Sequence, residues 1–164
     1  MIDIKSDKQH FLMSGSIFVH GKPCVVTTVL GSCVSICVWD PLTKIGGMNH
    51  YMLPFWNGEG LASPKYGSIA IPKMLEKMIR LGANKKGIQA KIFGGSEVLR
   101  VTSSAMNIGE RNIMLAQDML QEEKIPVISS DVGGKTGRKI IYDTSTGNVF
   151  VKKLANQIDD IRNV

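Results

Sequence analysis

The chain has 164 residues, 43% of them hydrophobic and 21% charged, enough for one compact domain with a core of its own. No apolar run approaches the roughly 18 residues of a membrane span, and Met1 to Leu12 is too polar (Asp3, Lys5, Asp7, Lys8) to read as a signal peptide. Cys24, Cys33 and Cys37, an odd number crowded into one segment, make a poor disulfide framework and suit a reducing cytoplasm.

The net charge of +6 gathers near Lys135, Arg138, Lys139, Lys152 and Lys153, which reads as a solvated face or one that recruits an acidic protein surface. Nucleic acid is disfavoured, since there is no zinc-finger spacing, aromatic RNA-binding signature or helix-turn-helix pattern. With no repeat, linker or low-complexity tract, 1–164 reads as a single domain in which residues 1–12 and 155–164 are peripheral.

In chain order, Cys24 to Leu30 is a β-branched run closed by Gly31, and Val34 to Trp39 is a second strand ending at the turn signal Asp40-Pro41. Ile45 to Leu53 returns as the partner of a hairpin and stops at Pro54. Trp56 to Lys65, with Gly58, Gly60 and Pro64, reads as a loop. A helix follows, N-capped by Ser68. Ile71, Met74, Leu75, Met78 and Ile79 form its buried face, Glu76 and Arg80 pair outside, and Gly82 ends it. Ala90 to Phe93 is a short strand entering Gly94-Gly95. Asn107 with Glu110 forms a capping box for a second helix running to about Glu123. Ile125 to Ile128 and a hairpin of Lys139–Asp143 with Asn148–Leu154 complete the pattern. Strands outnumber helices and come as hairpins, so the fold class is α+β, with helices on largely antiparallel or mixed sheet.

Chemistry concentrates at Gly31-Ser32-Cys33. A buried cysteine usually only fills space, and Cys24 and Cys37, inside apolar strands, fit that reading. Cys33 instead sits on a turn that can expose its side chain and present the backbone N–H groups of Gly31, Ser32 and Cys33 to an oxyanion. The hairpin that turns near Asp40–Lys44 returns His50 to the level of Cys33, where an imidazole can take the thiol proton. Asn49, by strand alternation, faces away from His50. Thr27 lies an even six residues before Cys33 and could bond the second imidazole nitrogen, or be an ordinary strand residue. His10 and His20 read as surface groups. Ser129 to Thr136 nearly spells a phosphate loop, but a β-rich run follows it where a helix is required. Cys33, Cys37 and His50 lack the paired spacing of a zinc site, so no metal is expected.

At these residues the chain resembles the CheD family of chemotaxis proteins. The matching stretches are Leu30-Gly31-Ser32-Cys33-Val34, Trp39-Asp40-Pro41, Gly47-Met48-Asn49-His50-Tyr51-Met52-Leu53-Pro54, Lys65-Tyr66, Lys91-Ile92-Phe93-Gly94-Gly95, Ile108-Gly109-Glu110-Arg111-Asn112 and Gly133-Gly134-Lys135-Thr136-Gly137-Arg138-Lys139. They run in family order from about residue 13 to residue 154.

The resemblance implies an α/β sandwich similar to the catalytic domains of glutamine-deamidating toxins. It implies hydrolysis of chemoreceptor glutamine side chains to glutamate, without metal or organic cofactor. It carries the nucleophile onto Cys33, the base onto His50 and the third position onto Thr27, with Thr28 as the adjacent alternative. It also implies the cytoplasmic domains of chemoreceptors as substrate and a CheC-type phosphatase as partner, with the protein a cytoplasmic monomer or heterodimer. Two further readings stay open, an adaptor that acts by binding CheC and a cysteine redox sensor. Esterase activity on methylated receptor glutamates is undecided.

Overall fold

The computed structural model describes residues 8–98, 106–154 and 161–164. Ten strands form two mixed five-stranded sheets, and two helices cover one of them. The first sheet takes, in spatial order, β1 (Lys8–Phe11), β3 (Cys24–Leu30), β8 (Arg138–Asp143), β9 (Asn148–Lys153) and β10 (Ile161–Asn163). The second takes β2 (Ile17–His20), β5 (Ile45–Asn49), β4 (Val34–Asp40), β6 (Gln89–Gly94) and β7 (Val127–Val132). Pairing is antiparallel except for β1 with β3 and β6 with β7. The α+β expectation holds.

Alternation along the strands builds two cores. Leu12, Cys24, Val26, Leu30, Cys37, Met48, Phe93, Ile140 and Val151 fill the space between the sheets. Val34, Ile36, Val38, Ala90 and Ile92 face the other way, against α1 (Gly67–Arg80) and α2 (Ile108–Glu122). The layers are therefore helices, second sheet, first sheet, and the strand pair β4–β5 is buried on both faces.

α1 buries Ala70, Ile71, Met74, Leu75 and Met78, and places Lys77 and Arg80 in its last turn, where the helix dipole favours cations. It begins two residues earlier than Ser68 as N-cap predicts, after Tyr66; Ser68 Oγ instead accepts the Trp56 N–H at 3.0 Å. Glycine opens the helix because a Cβ on Gly67 would run into the Leu115 and Tyr51 side chains. The predicted cap of α2 is present, with Asn107 Oδ1 accepting the Glu110 N–H at 2.9 Å.

Four expectations change. Residues 8–12 and 161–163 are not peripheral, because β1 pairs with β3, Leu12 is buried and β10 pairs with β9; residues 1–7 and 155–160 lie outside the described residues. The strand expected at Ile125–Ile128 begins at Val127 and continues to Val132 alongside β6, so half of the near-phosphate-loop stretch is strand and β8 follows it. The strand expected over Ile45–Leu53 ends at Asn49, whose side chain takes over a ladder bond. Arg138 does not belong to the basic face. It is fully buried and paired with Asp131, with further bonds to Gly133 O and to Ser96 Oγ at 2.9 Å.

Candidate active site

The Gly31–Cys33 turn carries the chain from the first sheet to the second, since β3 precedes it and β4 follows. Buried Leu30 and Val34 pin its two ends in different cores. All three of its carbonyls are held from outside. The Ser96 N–H donates to Gly31 O at 2.9 Å and the Gly95 N–H to Cys33 O at 2.8 Å. Asn112 Nδ2 donates to Ser32 O at 3.0 Å and, at the same length, to Met52 O just beyond His50. A Cβ on Gly94 would collide with Cys33 O, and Gly94 has φ of 101°, so glycine is needed there on both counts. The turn is thus a fixed platform, and Cys33, its side chain against the intersheet core, stays half-buried.

His50 reaches the same space from β5's end. Val34 faces Tyr51 across the sheet and exchanges both main-chain bonds with it, at 3.1 and 3.0 Å. Continuing that register sets Ser35 opposite His50 and Cys33 opposite Met52. Cys33 and His50 are therefore diagonal neighbours on one face, within reach of long or aromatic side chains. Between the two paired stretches, Asn49 Oδ1 accepts the Ile36 N–H at 2.8 Å. As alternation predicts, Asn49 points away from His50, to the helix side of the sheet.

The hydroxyl that meets the imidazole is that of Thr28, not Thr27. Thr28 Oγ1 lies 2.7 Å from His50 Nδ1 and also donates to Leu12 O at 2.7 Å. Its single proton goes to the carbonyl, which can only accept, so Nδ1 must carry the proton of the second bond and Nε2 is left bare. Counting six residues back from Cys33 assumes an unbroken strand. The turn at Gly31 breaks it, and alternation within β3 puts Cys24, Val26, Thr28 and Leu30 inward, with Thr27 on the opposite face.

Burial pushes the His50 pKa down to about 4 and raises that of the Cys33 thiol, the latter opposed by the residue's own backbone N–H. At neutral pH the two groups rest as imidazole and thiol. Cys24 and Cys37 are buried, and burial holds the Cys37 thiol far above the ordinary range, as expected of space-filling cysteines.

Two residues of the site carry little sequence signal. Asn112 lies 79 positions from Cys33 on α2 and is fully buried, while Tyr51 fixes that helix by donating from its hydroxyl to Asn112 O at 2.5 Å. A depression of about 150 Å³ adjoins the turn, lined by Ser32, Ser96, Glu97, Val98, Ile108 and Gly109 among others. Larger clefts, each of about 500 Å³, lie beside α1 and α2; none of the three is lined by Cys33 or His50, and only the smaller one reaches the turn, at Ser32.

The family model described as CheD chemotactic sensory transduction matches residues 52–153, more than half of the chain. A protein of Trichlorobacter lovleyi named "Probable chemoreceptor glutamine deamidase CheD" is 52% identical, over 88% of this chain and 89% of its own. A protein of the same name in Sulfurimonas denitrificans is 44% identical over 88% and 94%, and a CheD 1 of Anaeromyxobacter dehalogenans is 41% identical over 89% and 85%. Matched by the family model over more than half its length and 52% identical to a relative over most of both chains, the protein is a member of the CheD family.

Proposed function

We propose that this protein hydrolyses glutamine side chains of chemoreceptors to glutamate, with Cys33 as nucleophile and His50 as general base. The observation that carries this is the Thr28–His50 bond, which leaves Nε2 free on the face shared with Cys33. The names of the relatives supply the substrate class.

As the Cys33 Sγ–C bond forms at the glutamine carboxamide carbon, the thiol proton passes to Nε2. The carbonyl electrons move onto oxygen, and the N–H groups of the fixed turn at Ser32 and Cys33 are placed to stabilise that oxyanion. Collapse breaks the C–N bond; the imidazolium gives its proton to the leaving nitrogen and ammonia departs. Water then attacks the thioester, its proton going to Nε2, and the C–S bond breaks as the imidazolium reprotonates the thiolate. The product is glutamate, with thiol and imidazole restored. The depression beside Ser32 is where the segment carrying the glutamine lies. The protein works in the cytoplasm, a reading supported by an odd number of clustered cysteines, a poor disulfide framework.

The test is peptide mapping by mass of a chemoreceptor cytoplasmic fragment incubated with wild-type protein or Cys33→Ala. Wild type adds about one dalton at defined glutamines with release of ammonia, and Cys33→Ala adds none. Equal conversion by Cys33→Ala would overturn the nucleophile assignment. No conversion by wild type, with binding of a CheC-type phosphatase retained, would make the protein an adaptor.

A further inference from the structure

Ser35 is fully buried and its hydroxyl has no hydrogen-bond partner. Three other buried polar atoms share that state, Asn49 Nδ2, Asn112 Oδ1 and Arg138 Nε, but each belongs to a side chain whose remaining polar atoms are engaged. The hydroxyl is all Ser35 has. An unmatched buried hydroxyl carries a desolvation cost that alanine in the same space would avoid.

Its position gives the reason. Alternation along β4 puts Cys33, Ser35 and Cys37 on the intersheet face, where Cys33 and Cys37 both pack. The register set by Val34 and Tyr51 puts Ser35 directly across from His50. It is a non-hydrogen-bonded position, where facing side chains come closest, with Cβ atoms about 5 Å apart. Ser35 therefore shares a face with Cys33, two residues before it, and lies across from His50. In the resting structure its hydroxyl bonds neither the thiol nor the imidazole.

We propose that the Ser35 hydroxyl is a donor held for the charge-separated form of the pair: it hydrogen-bonds the Cys33 thiolate once His50 has taken the proton. No covalent bond changes; a donor without an acceptor gains one as sulfur becomes an anion. The step asks only for rotation of the Ser35 and Cys33 side chains on a shared sheet face. This rests on Cys33 being the nucleophile and adds a third side chain to its activation.

The test is Ser35→Ala, read by iodoacetamide alkylation of the Cys33 peptide at pH 7.5, by kcat and KM on a chemoreceptor fragment, and by thermal melting. Alkylation rate and kcat are expected to fall about tenfold, as for loss of one hydrogen bond to a charged group. KM should stay within twofold and the melting temperature should hold or rise. Alkylation within twofold of wild type would overturn the proposal. So would a lowered melting temperature with faster labelling of buried Cys24 and Cys37, which would mark a structural role. Turnover by Cys33→Ala would instead refute the nucleophile reading, while the alkylation assay still reports on the contact between Ser35 and the thiol.

Discussion

Thr28 and His50 belong to different sheets, yet Oγ1 of one lies 2.7 Å from Nδ1 of the other. The bond crosses the interlayer space, so the relative placement of the two sheets sets the orientation of the imidazole. Leu12 O, taking the hydroxyl proton, decides the tautomer.

Replacing Thr28 by Val keeps the volume and removes the acceptor of the Nδ1 proton. A hydrogen bond to the imidazolium is worth about 1.5–3 kcal/mol, so kcat should fall roughly 10- to 100-fold with KM little changed. Thr27→Val, on the other face, should stay within about twofold of wild type. Steady-state ammonia release by the two variants checks this, and the reverse ranking would return the third position to Thr27.

The buried imidazole makes stability depend on pH. With a folded pKa of about 4 against about 6.5 in the unfolded chain, the unfolded state binds the extra proton between those values. Stability from this group is complete above pH 6.5 and is lost as pH falls towards 4, by about 3 kcal/mol in all. Urea midpoints at pH 7.0 and 4.5 measure the slope, and His50→Phe should flatten it. For the same reason, kcat/KM should stay level from pH 6 to 8 instead of falling on an acid limb near 6.5.

Asn112 is expected to matter for rate and fold together. Asn112→Leu leaves Ser32 O and Met52 O without their donor, at about 1–3 kcal/mol each. At about 2–4 °C per kcal/mol for a chain of this size, the melting temperature should drop by roughly 4–24 °C. Turnover at a temperature where the variant is still folded should fall as well, because the cysteine turn and the histidine strand are no longer tied to one point. Calorimetry and ammonia release separate the two effects.

Gly94→Ala should be more damaging than any exposed glycine change, since the new methyl meets Cys33 O and the backbone holds a positive φ. Gly58→Ala, also at positive φ but with open space around it, is the control for backbone strain alone. Loss of turnover with Gly94→Ala and its retention with Gly58→Ala is the expected outcome.

Much of this was legible in the sequence. β3 and β4 announce themselves by β-branched residues, α2 by its capping box, and the pairing of Cys33 with His50 by hairpin length. Parity failed at Thr27 because counting across Gly31-Ser32 treats a crossing between sheets as strand. β1, β2 and β10 are only three or four residues long, below what alternation can resolve. Ile79 fits the helical spacing yet is exposed, because α1 is covered on a narrower stripe than the pattern suggests. Arg138 looked like surface charge because nothing local marks Asp131, seven residues away, as its partner within the fold. Asn112 offers no pattern at all: its role arises only when α2 docks against the turn.

The three anchored carbonyls have a further consequence. Their donors come from residues 95, 96 and 112, far along the chain from the turn they hold, and the histidine and its threonine come from opposite sheets. No short segment around the cysteine turn contains the contacts that hold it. A chain whose helices have loosened, or whose layers have slid by one residue, keeps its thiol but loses the means of activating it. Turnover is therefore a stricter witness of native assembly than circular dichroism, and misfolded copies in a cell would be silent toward receptors instead of indiscriminate.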